Sequence, residues 1–239
     1  MREYRFLSCG ECAVTIEFFG GILESTNAKI RYLASRFFSD KISGVTETVP
    51  TFCSITVFFD PMLISKKDLK KTVTAYLEEY REEEEGEKRV FLIPVCYEDE
   101  FAPDMDDVCA LTGLDREEVI RRHSSVDYLI YMLGFLPGFP YLGGMDPSLE
   151  CSRLDSPRVS IPRGAVGIGG KQTGIYPLVS PGGWRLIGRT PVRLYAPERE
   201  PAIVYRAGDW IRFIPISKEE FLEIEKNSGM EILVRRKEK

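Results

Sequence analysis

The chain has 239 residues, a formal net charge of -5 and 44% hydrophobic residues, ample for a packed core in one large or two small domains. A pI near 5.2 argues against nucleic acid as the main partner, a role that wants a basic face on a basic overall balance. No apolar run approaches the roughly 20 residues that span a bilayer, and the N-terminal MREYRFLSCG lacks the charged-then-apolar layout of a signal peptide, so a soluble, cytoplasmic protein that does not engage the membrane is expected.

Residues 1–95 read as one alternating α/β unit. Val14, Ile16 and Phe18 alternate with Thr15 and Glu17, the pattern of a half-buried strand. Gly20-Gly21 breaks it, and Ile30, Leu33, Ala34 and Phe37 then recur at helical spacing. Residues 45–49 form a short strand and 52–59 a strongly β-prone one, with Pro50 between them and Asp60-Pro61 turning the chain. Ser65 and Asp68 have the spacing of a capping box, and Leu69, Val73, Tyr76, Leu77 and Tyr80 give the following helix an apolar face. The acidic run at 82–85 reads as a solvated helix end. Residues 90–95 close the unit as a strand. The order β-β-α-β-β-α-β contains a split βαβ pattern, as in ferredoxin-like sandwiches.

Two short helices are expected over 99–123, the second capped by Asp115 with Glu118. Residues 126–133 form an apolar strand. Turn signals then come every few residues, among them Pro137-Gly138, Gly143-Gly144, Gly169-Gly170 and Pro181-Gly182-Gly183, with short β-prone runs at 166–168, 175–178 and 211–214. That rhythm predicts an antiparallel barrel or sandwich. Ser217 with Glu220 caps a last short helix, 232–234 is a last strand, and 235–239 is a frayed tail.

The most distinctive stretch runs from Gly134 to Pro191. Twelve of the 20 glycines lie between Gly134 and Gly188, and from Ser156 to Pro197 there is no Asp or Glu while Arg158, Arg163, Lys171, Arg185, Arg189 and Arg193 supply positive charge. A turn-rich cationic surface inside an acidic protein points to a small anion as ligand. Gly169-Gly170-Lys171 fails the phosphate-loop pattern, because Ala165 and Gln172 stand where Gly and Ser or Thr are needed, and the dinucleotide fingerprint also fails at Gln172. Cys9-Gly10-Glu11-Cys12 is a lone CxxC with no second pair, and His123 is the only histidine, so no metal site is expected. His123 is either a helix-end donor or a group that donates to a substrate carbonyl or shuttles its proton. The apolar loop around Phe139 and Tyr141 and the indole of Trp184 are either core padding or pocket walls, and Gln172 and Tyr176 offer neutral hydrogen bonds beside the arginines.

The segments HSSVDYLIYMLGFLPGFPYLGG and PRVSIPRGAVGIGGKQTGIYPLVSPGGWRLIGRTP closely resemble the 5-oxoprolinase B-subunit family, also described as the sporulation kinase A inhibitor and allophanate hydrolase subunit 1 family. ECAVTIEFFG, VPTFCSITVFFDP, IPVCYEDEFAPDMDDVC and AGDWIRFIPIS follow in family order. The resemblance implies an α+β chain with a ferredoxin-like domain, taken as 1–89, and a cyclophilin-like antiparallel β-barrel, taken as 90–239. It implies a subunit inactive alone, working with the A and C subunits in ATP-dependent opening of 5-oxoproline to glutamate. ATP is used by the complex with no site located in this chain, and neither metal nor biotin is expected in it. Its relatives imply two alternatives: an inhibitor of a sensor histidine kinase, or a carboxyl-transfer subunit of the urea carboxylase and allophanate hydrolase type. In these terms Arg158 and Arg189 are expected to bind the anion and His123 to serve the lactam carbonyl, with Phe139, Tyr141, Gln172, Tyr176, Gly182, Gly183 and Trp184 shaping the pocket. The chain departs from the family's common Pro-Ala-Gly-Ser at Pro162-Arg163-Gly164-Ala165, where a guanidinium replaces a methyl and a methyl replaces a hydroxymethyl.

Overall fold

A computed structural model describes residues 3–81, 88–227 and 233–236, which fall into two compact units, Met1–Gly86 and Glu87–Lys239. The acidic run at 82–85 lies outside the described residues, as do Ile232 and 237–239.

Unit 1 contains β1 (Tyr4–Ser8), β2 (Ala13–Phe18), α1 (Glu24–Asp40), β3 (Val45–Pro50), β4 (Ser54–Phe59) and α2 (Lys66–Glu79). Its sheet has the order β1-β2-β4-β3, antiparallel at every pairing. β2 and β3 therefore run the same way with β4 between them, the split arrangement that the order of elements suggests. Period-2 alternation puts Val14, Ile16 and Phe18 of β2 and Ile55, Val57 and Phe59 of β4 on one buried face. The helices cover that face with Leu33 and Phe37 from α1 and Leu69 and Val73 from α2. The Ser65 hydroxyl accepts the Asp68 N–H at 3.1 Å and starts α2.

Unit 2 contains β5 (Arg89–Cys96), α3 (Met105–Thr112), α4 (Arg116–Ser124), β6 (Tyr128–Leu133), β7 (Pro140–Gly143), β8 (Arg158–Ile161), β9 (Ala165–Gly169), β10 (Gln172–Ile175), β11 (Ser180–Gly182), β12 (Arg185–Arg189), β13 (Trp210–Ile216), α5 (Lys218–Lys226) and β14 (Leu233–Arg236). The strand that the residue pattern assigns to the first unit is β5; it belongs here instead, as the 90–239 bounds of the resemblance imply, and pairs with β13, β14 and β12. In unit 1 the place beside β2 is held by β1. The frayed tail expected from 235 is likewise corrected for Arg235 and Arg236, which pair with Val90 and Arg89.

Strands β12-β9-β10-β7-β6-β13-β5 close into a ring through the Arg189–Cys96 bridge, with β14 added on β5. Seven is odd, so alternating directions cannot close the ring and at least one parallel junction is required. That junction is β5–β13, in register from Val90–Trp210 to Cys96–Ile216, and every other junction is antiparallel. The expected antiparallel barrel is present, with this one parallel junction in it. Side chains including Ile93, Ile130, Val166, Ile187 and Phe213 fill the interior, so the barrel is a core and not a pore. Met105 and Val108 of α3 and Val119 of α4 join that core. β8 and β11 form a separate two-stranded sheet. No helix among the described residues is long and apolar enough to cross a membrane.

Candidate functional site

The loop after β6 supplies the first wall of the site. Leu136 N–H donates to the Gly134 carbonyl (2.8 Å), Phe139 N–H to the Leu136 carbonyl (3.0 Å), and the Tyr205 hydroxyl to the Gly138 carbonyl (2.6 Å). With its polar backbone occupied in this way, the loop can be apolar at little cost. Phe135 takes a left-handed φ of +68, which is strained for a bulky side chain, and the residue is 62% exposed.

Phe139 is the hub of an aromatic cluster. Its ring centroid lies 5.0 Å from that of Tyr141, 5.2 Å from Tyr176, 5.5 Å from Trp184 and 5.8 Å from Phe135. Most of these contacts are edge to face, the geometry that aromatic quadrupoles favour. A missing side chain lets the indole in: a Cβ at Gly169 would stand 2.5 Å from Trp184 Nε1. Gly182 gives the Tyr176 hydroxyl the same room, at 2.6 Å, and the Gly183 carbonyl accepts Leu154 N–H at 2.8 Å. The structure thus brings Phe139, Tyr141, Tyr176, Gly182, Gly183 and Trp184 together. Gln172 pairs with Gly169 across the β9–β10 hairpin and its side chain has no hydrogen-bond partner among the described residues. Because β10 follows that hairpin directly, its glycines present no helix N-terminus to a phosphate.

Positive charge rims this cluster at one end of β8 and β12. Arg158 pairs in register with Gly182, donates from Nη2 to Asp104 Oδ1 at 2.5 Å, and keeps a buried Nη1 with no partner among the described residues. Asp104, itself buried, accepts the Leu186 N–H through its other oxygen at 2.6 Å. Arg185 reaches Asp107 at 2.7 Å and the Ser152 carbonyl at 2.9 Å. Arg153 lies over the Trp184 ring at 5.8 Å and meets no carboxylate among the described residues. Burial pushes the Tyr176 hydroxyl pKa up, opposed by the Trp184 backbone N–H and by the charges of Arg153 and Arg158.

His123 is elsewhere. It is fully buried, stacked on Phe213 at 4.4 Å, with Nδ1 2.8 Å from the Tyr97 hydroxyl and Nε2 2.8 Å from Thr173 Oγ1. Thr173 donates its own proton to the Gly167 carbonyl, so Nε2 carries the imidazole proton and Nδ1 accepts from Tyr97. Desolvation lowers the His123 pKa to about 3. The role expected for it at a substrate carbonyl is corrected: both nitrogens are occupied and the ring is sealed from solvent. Arg189 also stands apart from Arg158. It closes β12 at the far end from Arg185, where Nε donates to the Arg163 carbonyl at 2.9 Å and Nη2 is 3.5 Å from Glu225.

The carboxyltransferase domain family, subdomains C and D, matches this chain over residues 4–205. The 5-oxoprolinase B subunit of Bacillus subtilis (strain 168) is 41% identical over 229 residues, covering 92% of this chain and 95% of its own. The chain belongs to the 5-oxoprolinase B-subunit family. A second such relative, the 5-oxoprolinase B subunit of Escherichia coli O157:H7, is 39% identical over 218 residues, 90% of this chain and 97% of its own. Among solved structures, TTHA0988 superimposes with a TM-score of 0.76 at 34% identity over 86% of this chain, which spans only 40% of TTHA0988.

In this member of the B-subunit family, Asp104 and Arg153 were not singled out as site groups by sequence reasoning, and Arg185 only as one of six cations of the acid-free stretch. Asp104 has a readable signal, since it precedes the Met105 helix start, but the arginine that it binds is 54 positions away. Arg153 carries no local signal beyond its charge. A cleft of about 310 Å³ lined by Glu98, Asp99, Glu100, Arg116 and Lys218 lies outside this cluster. Its charges answer one another, Lys218 to Glu100 and Arg116 to Asp99 at 2.6 Å each.

Proposed function

We propose that the chain is the B subunit of an ATP-dependent 5-oxoprolinase, acting with the A and C subunits to open 5-oxoproline to L-glutamate, and that it offers substrate the surface formed by Arg153 and Arg158 beside the buried Trp184 indole. The near-complete overlap with two B-subunit relatives supports the family side of this reading. The observation that carries the site is Arg153, a guanidinium over an indole with no carboxylate partner among the described residues. 5-Oxoproline is a small lactam ring bearing a carboxylate, and a guanidinium suits that carboxylate. ATP enters as co-substrate of the complex. Phosphorylation of the lactam oxygen releases ADP, water adds to the activated carbon, the C–N bond breaks, and a second water releases phosphate and glutamate. The same reading takes unit 1 as ferredoxin-like, with β1 in the position of the usual last strand, and unit 2 as cyclophilin-like; the sheet order and the closed ring support these assignments.

The test is reconstitution with the A and C subunits and an assay for glutamate that depends on ATP and 5-oxoproline. Activity should require all three subunits, and Arg153→Ala should lower kcat/KM at least about tenfold, the loss of a charge-assisted hydrogen bond. Glutamate made by the chain alone, or an Arg153→Ala complex within about twofold of wild type, overturns the reading. A second reading, carboxyl transfer, is favoured by the matched domain family. It predicts instead that the complex moves a carboxyl group from carboxybiotin to an acceptor and shows no oxoproline-dependent turnover.

A further inference from the structure

At the far ends of β8 and β12, the turn 162–164 is fixed by its own backbone. Gly164 has φ +84, its N–H donates to the Tyr176 carbonyl at 2.7 Å, and its carbonyl accepts Thr190 N–H at 2.9 Å. A Cβ at 164 would stand 2.2 Å from the Thr190 carbonyl oxygen, so only glycine allows this approach. The consequence is that Arg163 and Arg189 are held side by side, with Arg189 Nε donating to the Arg163 carbonyl at 2.9 Å. Phe221 lies beneath the Arg189 guanidinium at 5.5 Å.

Two cations so close need an acceptor, and the one present is badly placed. Glu225 Oε1 is 3.9 Å from Arg163 and 3.5 Å from Arg189, against about 2.7–2.9 Å for a charge-assisted hydrogen bond. Arg163 Nη1 is buried with no hydrogen-bond partner among the described residues. Arg193, the third cation of the neighbourhood, already has Glu198 at 2.6 Å. Burial, and then the charges of Arg189 and Arg193, hold the Arg163 pKa below its ordinary value. Both guanidiniums still reach solvent, with side chains 29% and 27% exposed.

We infer that Arg163 and Arg189 form a second anion site, separate from the aromatic site, for a small phosphate or other oxyanion, with Glu225 as an internal stand-in that the ligand displaces. The site does not rest on the oxoprolinase reading. The unsatisfied Nη1 and the long Glu225 contacts describe a seat shaped for an acceptor with more oxygens than one carboxylate. Glu225 competes with any such ligand, so its removal should tighten binding, whereas a fortuitous pair of surface arginines would be nearly indifferent to it.

The test is calorimetric titration of the whole chain with inorganic phosphate, and separately with acetate, at constant ionic strength set by chloride. Saturable phosphate binding is expected, with acetate weaker. Glu225→Gln should tighten phosphate about fivefold, the size of one partly exposed ion-pair competition. Arg163→Ser and Arg189→Lys should remove it, and Arg158→Ala, at the other end of β8, should leave it unchanged. Should Arg163→Ser unfold the protein, the Glu225→Gln arm still decides: no tightening overturns the site. Acetate binding as tightly as phosphate overturns the phosphate preference, and phosphate binding lost in Arg158→Ala places the anion at the aromatic site instead.

Discussion

The Nε2 of His123 lies 2.8 Å from the Oγ1 of Thr173, fifty positions along the chain, and both residues are completely buried. The pair ties α4 to β10, and burial keeps the imidazole neutral. Its folded pKa, about 3, is below the unfolded value near 6.5. Between those values the unfolded chain binds the extra proton, so stability from this group is complete above about pH 6.5 and is lost as pH falls toward 3. The slope is at most about 1.4 kcal/mol per pH unit. Denaturant midpoints measured from pH 7 to pH 4 should fall more steeply for wild type than for His123→Gln. Equal slopes in the two proteins would contradict a buried neutral histidine.

Gly169→Ala should cost about 1–3 kcal/mol in denaturant unfolding, because the new methyl group must displace the Trp184 indole from a packed cluster. In a Trp184→Ala background the penalty should shrink, giving a coupling of at least about 0.5 kcal/mol in the double-mutant cycle. Additive effects would show that the indole is not what the glycine accommodates.

Arg158 and Arg153 should separate stability from activity. Arg158→Ala leaves buried Asp104 with one oxygen unpaired and should destabilise by about 2 kcal/mol, less than the full penalty of a buried pair because Arg158 is partly exposed. Arg153→Ala breaks no ion pair among the described residues and should stay within about 0.5 kcal/mol of wild type. Urea titration of both variants beside the reconstituted assay checks this, and a large stability loss in Arg153→Ala would remove it from the site.

Arg89 grips buried Asp209 with two hydrogen bonds, 3.0 Å from Nε and 2.5 Å from Nη2. Lysine keeps the charge and loses the fork. Arg89→Lys should therefore lower stability by about 1–2 kcal/mol, a shift readable in the thermal midpoint, and an unchanged midpoint would show that charge alone suffices.

Much of this architecture is legible in the residues. The alternation in β2 and β4 marks the buried face of unit 1, and the capping spacings at Ser65, Asp115 and Ser217 mark helix starts that the side chains do cap. The destination of β5 is not legible in its residue pattern; only the family resemblance, which takes 90–239 as the barrel, assigns it. RVFLIPVC is an apolar run buried on both faces, and such a run fits either sheet, because its partner β13 is named only by register contacts far along the chain. The cationic stretch misled for a related reason. It is free of acid in sequence but not in space: Asp104 and Asp107 from the α3 end and Glu225 from α5 stand against its arginines. These long-range partners split into two groups what reads in sequence as one surface. His123 drew notice as the only histidine, and rarity carries no information about exposure.

The parallel junction of the barrel also sets an order of events. Val90 pairs with Trp210, so the ring cannot form until 210 - 90 = 120 further residues have followed β5 off the ribosome. Unit 1 makes all its strand pairings within residues 4–59 and can complete its sheet long before. Through that interval β5, one of the most apolar segments of the chain, has neither β13 nor β12 beside it, and contacts of such long separation form slowly. Nascent chains halted before β13 should therefore hold a folded first unit joined to an unclosed and aggregation-prone second.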